Sequence, residues 1–162
     1  MPYGDGMPGF SVLERSVTLD APIDEVFRFH LDTRNAPLIS PGNNEFVEIA
    51  GDFPVHLGSF VRLRVRQKPM PFAQTWVVRI ADLEEPTLVT DVAERSPFAY
   101  WRHEHHFASD AAGGTVMTDH LEYRLPLGPL GVLADRLLVR HMLDRIFTER
   151  HRRTREHFAT AP

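Results

Sequence analysis

LGVLADRLLVRHMLDRIFTERHRRTREH, residues 130–157, is the stretch on which the fold turns. Its Leu, Val, Met, Ile and Phe residues recur at helical spacing with no internal proline and no glycine beyond Gly131, so the pattern predicts one helix of roughly 28 residues, ~40 Å long at 1.5 Å per residue. Leu130, Leu133, Leu137, His141 or Met142, Ile146 and Phe147 form its apolar stripe, while Asp135, Arg136, Asp144, Arg145, Glu149, Arg152 and Glu156 occupy mainly solvated positions. A rod with one apolar face must lie against another element, and the chain upstream supplies it.

Leu125-Pro126-Leu127-Gly128-Pro129 halts strand geometry just before the helix. Over roughly eighty residues before that break, apolar and polar side chains alternate with period two. Six strands fit, near residues 45–50, 58–66, 74–82, 88–93, 100–108 and 114–125, divided by turn residues such as Gly51-Asp52, Glu85-Pro86, Ser96-Pro97 and Gly113-Gly114. Short connections imply an antiparallel meander. A further strand is expected over 10–19. After it, Pro22 suits a helix start and Asp24 and Glu25 complement the helix dipole, with a second short helix near residues 35–39. Residues 1–9, with three Gly and two Pro, are expected to be a flexible leader, residues 10–158 one ligand-binding domain and residues 159–162 a tail.

The expected fold class is therefore α+β: a seven-stranded curved antiparallel sheet wrapped around a long C-terminal helix, with two short helices after strand 1. A twisted sheet of this width cannot be filled by one helix lying flat, so the architecture predicts a cavity between them.

Composition narrows the function. The chain has 162 residues, 43% hydrophobic and 25% charged, which is ordinary for a single globular domain. Eighteen Lys and Arg against 22 Asp and Glu leave a net charge of −4, a field that repels nucleic acid. With no cysteine, thiolate catalysis, disulfides and sulfur-bound zinc are excluded. The beginning carries neither a basic start nor an apolar run, and no stretch reaches ~18 apolar residues, so a cytoplasmic protein without stable membrane insertion is expected. No Gly-rich phosphate loop and no Gly-x-Ser-x-Gly elbow occurs, and no cofactor is expected.

Several stretches together resemble the START-like, or helix-grip, superfamily of birch-pollen allergen, steroidogenic lipid-transfer domains and bacterial polyketide cyclases. They are Val17-Thr18-Leu19-Asp20-Ala21-Pro22-Ile23-Asp24-Glu25-Val26-Phe27, the strand-opening Gly58, residues 98–107 (FAYWRHEHHF) and residues 114–126 (GTVMTDHLEYRLP). The resemblance spans roughly residues 10 to 158 and is nearest to the bacterial branch grouped with polyketide cyclase/dehydrase and lipid-transport proteins. It implies a domain that encloses a small hydrophobic molecule. Because fold does not choose among the superfamily's activities, a cyclase or dehydratase acting on a polyketide-like substrate stays open as the alternative.

The residues themselves suggest the site. Trp101, His103, His105 and Phe107 alternate along one strand and share a face, the two imidazoles about 7 Å apart along the backbone. On the following strand Met117, Asp119, Leu121 and Tyr123 share a face. Asp119 in apolar surroundings is cheapest when paired, so contact with His103 or His105 is expected. Such a couple could hold a ligand's polar group, satisfy a buried charge or move protons, with His103, His105, Asp119 and Tyr123 as catalytic candidates. Two histidines so spaced could hold a metal were Asp119, His120 or Glu122 to converge; the reading adopted is that they hydrogen-bond inside a polar-lined pocket, with no metal. Leu63, Trp76, Val78, Trp101, Phe107, Met117, Tyr123, Leu137 and His141 complete the expected ligand-binding set, and Phe72 in the Pro-rich loop is a candidate gate. The expected partner is a small hydrophobic molecule, not nucleic acid; a homodimer is compatible with the sequence.

Overall fold

The computed structural model describes residues 10–159. β1 (Ser11–Leu19) leads through α1 (Ile23–His30), a 3-10 turn (Thr33–Asn35) and α2 (Ala36–Ile39) to six further strands. These are β2 (Asn44–Gly51), β3 (Phe60–Gln67), β4 (Gln74–Glu84), β5 (Leu88–Arg95), β6 (Tyr100–Ser109) and β7 (Thr115–Arg124). α3 (Pro129–Ala134), a π-helical turn (Asp135–Val139) and α4 (Arg140–Ala159) then run on as one helical stretch of 31 residues. The leader expected over residues 1–9 lies outside the described residues, as does the tail beyond Ala159, which itself closes α4. Among the described residues no helix is long and apolar enough to cross a membrane.

The seven strands form one antiparallel sheet in the order β1-β7-β6-β5-β4-β3-β2. β2 to β7 are a meander, and β1 joins its far edge, so α1 and α2 must carry the chain from one edge to the other. Register shifts at Phe46/Glu48, Val77/Val78 and Ile80/Asp82 place irregularities in the β2–β5 half, where extra residues increase twist and bend. α4 lies against β1, with Arg15 on β1 paired to Asp144 on α4, and touches α2 on its other flank. The helix therefore covers one half of the sheet, and the other half curls up beside it.

Two packed clusters make up the core, and both contribute residues to the walls of the resulting hollow. One gathers Val17, Leu19, Phe27, Phe107, Met117 and Phe158; the other gathers Leu13, Leu121, Tyr123, Leu143 and Phe147. Strands meet them by alternation, most cleanly β7, where residues 115, 117, 119, 121 and 123 are all buried.

The helix turns Ile146 and Phe147 inward as expected but presents a different stripe at its start. Leu130, Leu133 and Leu137 are 68%, 53% and 63% exposed, whereas Gly131, Asp135, Leu143, Phe147, His151, Thr154 and Phe158 point inward. Asp135, expected in solvent, accepts hydrogen bonds from Tyr123 Oη and Ser11 Oγ, both at 2.6 Å. That polar anchor and Gly131, where a Cβ would run into the Pro126 carbonyl oxygen, fix the inward face at the helix start. The π-helical turn then inserts one extra residue, which rephases the stripe before α4.

Candidate functional site

The hollow is a cavity of about 320 Å³ between β2–β6, α1–α2 and α4. Leu63, Val65, Trp76, Val78 and Trp101 make its sheet-side wall; Ile146 and Phe147 on α4 and Phe29 and Ile39 from the α1–α2 crossover close it. Among the polar side chains that border the same space are His30, Asp91, His103, His105 and Arg150. Apolar walls with a few convergent polar groups are the usual make-up of a small-molecule site.

Asp119 organises the polar end from behind. Only 1% exposed, it accepts a hydrogen bond from His103 Nε2 at Oδ1 (3.0 Å) and one from His151 Nε2, on α4, at Oδ2 (2.5 Å). His105 Nδ1 stands 2.7 Å from the same Oδ1. That nitrogen nonetheless lacks hydrogen-bond geometry, so the contact is an ionic one. The strands explain the convergence: in the β6–β7 register His105 lies opposite Asp119, and His103 shares its face two residues away. On the other side Asp91, opposite His103 on β5, brings Oδ2 to 3.7 Å from His103 Nδ1 and 3.6 Å from His105 Nε2. Each imidazole, with ring centroids 4.0 Å apart, is thus held between a sealed carboxylate and one that borders the cavity.

Burial and charge divide the protons. Burial pushes the Asp119 carboxyl up, but the charges of His105 and His103 and the hydrogen bond from His103 overcome it and hold the group well below the usual carboxylate range. Burial lowers His105, yet Asp119 and Asp91 on either side outweigh it and raise the imidazole above its ordinary value. Burial and the charge of His105 together leave His103 lowered despite Asp119. Asp91, pushed up by burial, is carried below its ordinary value by His105 and His103. His30 is pushed down to about 3 by burial, with His105 and Arg150 adding to the effect. Its Nδ1 lies 2.8 Å from the Val26 carbonyl, which fixes the proton there and leaves Nε2 an acceptor without a partner among the described residues. Arg150 Nε is likewise buried without a hydrogen-bond partner among them.

Of the expected site residues, Leu63, Trp76, Val78, Trp101, His103 and His105 border the cavity. Asp119 sits behind the histidines. Phe107 and Met117 belong to a packed cluster, and Tyr123, 0% exposed, spends its hydroxyl on Asp135, so none of the three reaches the cavity. Leu137 and His141 border an outer groove along α4 that shares Pro41, Gln67, Met142 and Ile146 with the cavity's rim. Phe72 is exposed and does not border the cavity. His120 and Glu122, weighed as metal ligands, face outward, His120 toward Glu14.

Asp91, His30, Arg150 and His151 were missed. Asp91 did leave a trace, because an acid alternating with Val89 and Ala93 occupies an inward strand position. His151 falls four residues after Phe147, where the true stripe continues, but the expected stripe stopped short of it.

A curved antiparallel sheet gripping its C-terminal helix over a hollow of ligand size defines the helix-grip, START-like class of proteins. Within it the chain belongs to the polyketide cyclase/dehydrase and lipid transport family, whose model matches residues 12–159. No curated protein matches the chain. Among solved structures it is similar to norcoclaurine synthase from Thalictrum flavum in complex with dopamine and hydroxybenzaldehyde, at 14% identity and TM-score 0.65 over 95% of this chain and 94% of that one. It is also similar to a Chromobacterium violaceum protein, at 12% identity and TM-score 0.72 over 93% and 99% of the two chains. The di-domain ARO/CYC BexL from the BE-7585A biosynthetic pathway matches at 17% identity and TM-score 0.72 over 95% of this chain, which spans 52% of that one. At these identities the likeness is one of fold.

Proposed function

We propose that residues 10–158 form a domain that takes up a small, predominantly apolar molecule, of lipid, polyketide or aromatic type, between sheet and helix. The observation that carries this reading is the cavity: about 320 Å³, walled by Trp76, Trp101 and branched aliphatic side chains. That size suits a flat ring system or a short chain. His30 Nε2 and Arg150 supply polar contacts at one end. The proposal sets the protein in the cytoplasm and, given the net charge of −4, leaves nucleic acid out of its partners. Native mass spectrometry of freshly purified protein tests it: a co-purifying mass of a few hundred daltons, or 1:1 uptake of an apolar fluorescent probe, supports carriage. Protein free of ligand that also ignores the probe contradicts it.

A second reading, a cyclase or dehydratase, is favoured by the Asp119–His103/His105 couple reaching the cavity through its imidazoles rather than being sealed off. In that reading His105 is the proton donor and His103 the acceptor, each oriented by Asp119. Incubation with a pantetheine-linked poly-β-ketone distinguishes them: ring formation above the buffer rate that disappears in His105→Asn supports catalysis, and its absence in the unaltered protein leaves the carrier reading.

A further inference from the structure

Asp91 Oδ2, His103 Nδ1 and His105 Nε2 come together from two neighbouring strands at one end of the cavity. The carboxylate oxygen lies 3.7 and 3.6 Å from the two nitrogens, and all three atoms lie within 4.8 Å of one another. Donors held at about 2.0–2.1 Å by a tetrahedral cation stand about 3.3–3.4 Å apart, so the Asp91 oxygen needs to approach each nitrogen by only a few tenths of an ångström, while the two nitrogens, within 4.8 Å of one another, close by rotation of their rings. From these distances we propose that Asp91, His103 and His105 bind one divalent transition-metal cation of the zinc or ferrous type.

Three features besides spacing support the assignment. Two imidazoles and one carboxylate are a donor set suited to zinc or ferrous iron and poorly suited to magnesium or calcium. The imidazole nitrogens not used for the metal, His103 Nε2 and His105 Nδ1, both face Asp119 Oδ1 at 3.0 and 2.7 Å. The hydrogen bond to Asp119 places the His103 proton on Nε2 and leaves its Nδ1 a lone-pair donor toward Asp91, the arrangement that supports a metal-bound histidine from behind, while the same carboxylate lies in ionic contact with Nδ1 of His105, whose Nε2 faces Asp91. His151, on α4, holds the other oxygen of Asp119, which ties this support to the helix. Finally, all three ligands border the cavity. With only three protein ligands, the ion keeps coordination positions open to that space, where a carbonyl or hydroxyl oxygen of a bound molecule can take one.

The inference goes beyond the ligand-binding reading and does not depend on it, because apolar-probe uptake by metal-free protein tests one and metal titration tests the other. Protein stripped with chelator and titrated with Co²⁺ is expected to develop visible d–d bands of four- or five-coordinate cobalt that saturate at one equivalent and are displaced by Zn²⁺. Asp91→Asn and His105→Gln should each weaken binding at least 100-fold, and Asp119→Asn, through the supporting contact, about 10- to 100-fold. His106→Gln and His120→Gln, on the outer face, should leave it unchanged. Circular dichroism checks that each variant is folded, and the unaltered protein's own spectrum stands whatever the variants do. A titration without saturable bands, or binding that survives Asp91→Asn and His105→Gln in folded protein, or binding lost with the outer-face histidines, overturns the assignment.

Discussion

His30 carries an imidazole far from its ordinary value. Burial beside His105 and Arg150 carries its imidazole down to about 3, against a modest opposing pull from the Val26 carbonyl and Asp119. In the unfolded chain the same group takes up a proton near pH 6.5, so between roughly 6.5 and 3 the unfolded state binds more protons and stability falls as pH falls. Metal-free protein should therefore lose stability on acidification below pH 6.5, His30 contributing up to about 1.4 kcal/mol per pH unit. Urea unfolding at a series of pH values should show a shallower decline for His30→Gln; an unchanged slope would mean the imidazole is not held neutral. Asp119 carries the opposite risk. Replacing it with Ala strips the counter-charge from His105 and the hydrogen-bond acceptor from His103 and His151, all buried, and the expected cost at pH 7 is about 3–5 kcal/mol by chemical denaturation. A loss below about 1 kcal/mol would show that the cluster does not depend on the carboxylate.

Among the elements, the helix start was the part of the chain least legible in its sequence. Periodicity alone favoured Leu130, Leu133 and Leu137 as the inward face, because burying a leucine is normally worth about 1.5–3 kcal/mol. Two facts that periodicity does not encode reversed it: the Tyr123–Asp135–Ser11 hydrogen bonds drew an acid inward, and the π-helical turn rephased the stripe. The inward stripe makes specific demands on stability. Gly131→Ala, which in an exposed helix would gain about 1 kcal/mol, should instead cost about 1–3 kcal/mol, because the added methyl meets the Pro126 carbonyl. Phe147→Ala should cost about 3–5 kcal/mol, while Leu133→Gln should change stability by less than about 0.5 kcal/mol. Equal losses at Phe147 and Leu133 in thermal or urea unfolding would contradict the observed stripe. The strands were far more legible, since strict alternation on β6 and β7 put His103, His105 and Asp119 on one face before any contact was known. Asp91 escaped because its significance lies in register, not in its own strand: only pairing β5 with β6 sets it opposite His103.

For the molecule as a whole, the order of elements was enough to anticipate the seven-stranded sheet, its long helix and the hollow between them. What it could not specify was where the hollow lies, which depends on the helix covering the β1 half and leaving β3 to β5 to curl beside it. The chain's two tryptophans, Trp76 and Trp101, both border that hollow, their rings 5.0 Å apart, so intrinsic fluorescence reports on its occupancy. The account rests on the hollow being usable space, and titration of the protein with 1-anilinonaphthalene-8-sulfonate, exciting tryptophan and reading probe emission, tests that directly. Saturable 1:1 energy transfer that weakens at least tenfold in Leu63→Phe, whose added ring would stand opposite Trp76, is the predicted result. Absence of saturable transfer, or transfer indifferent to Leu63→Phe in folded protein, would contradict it.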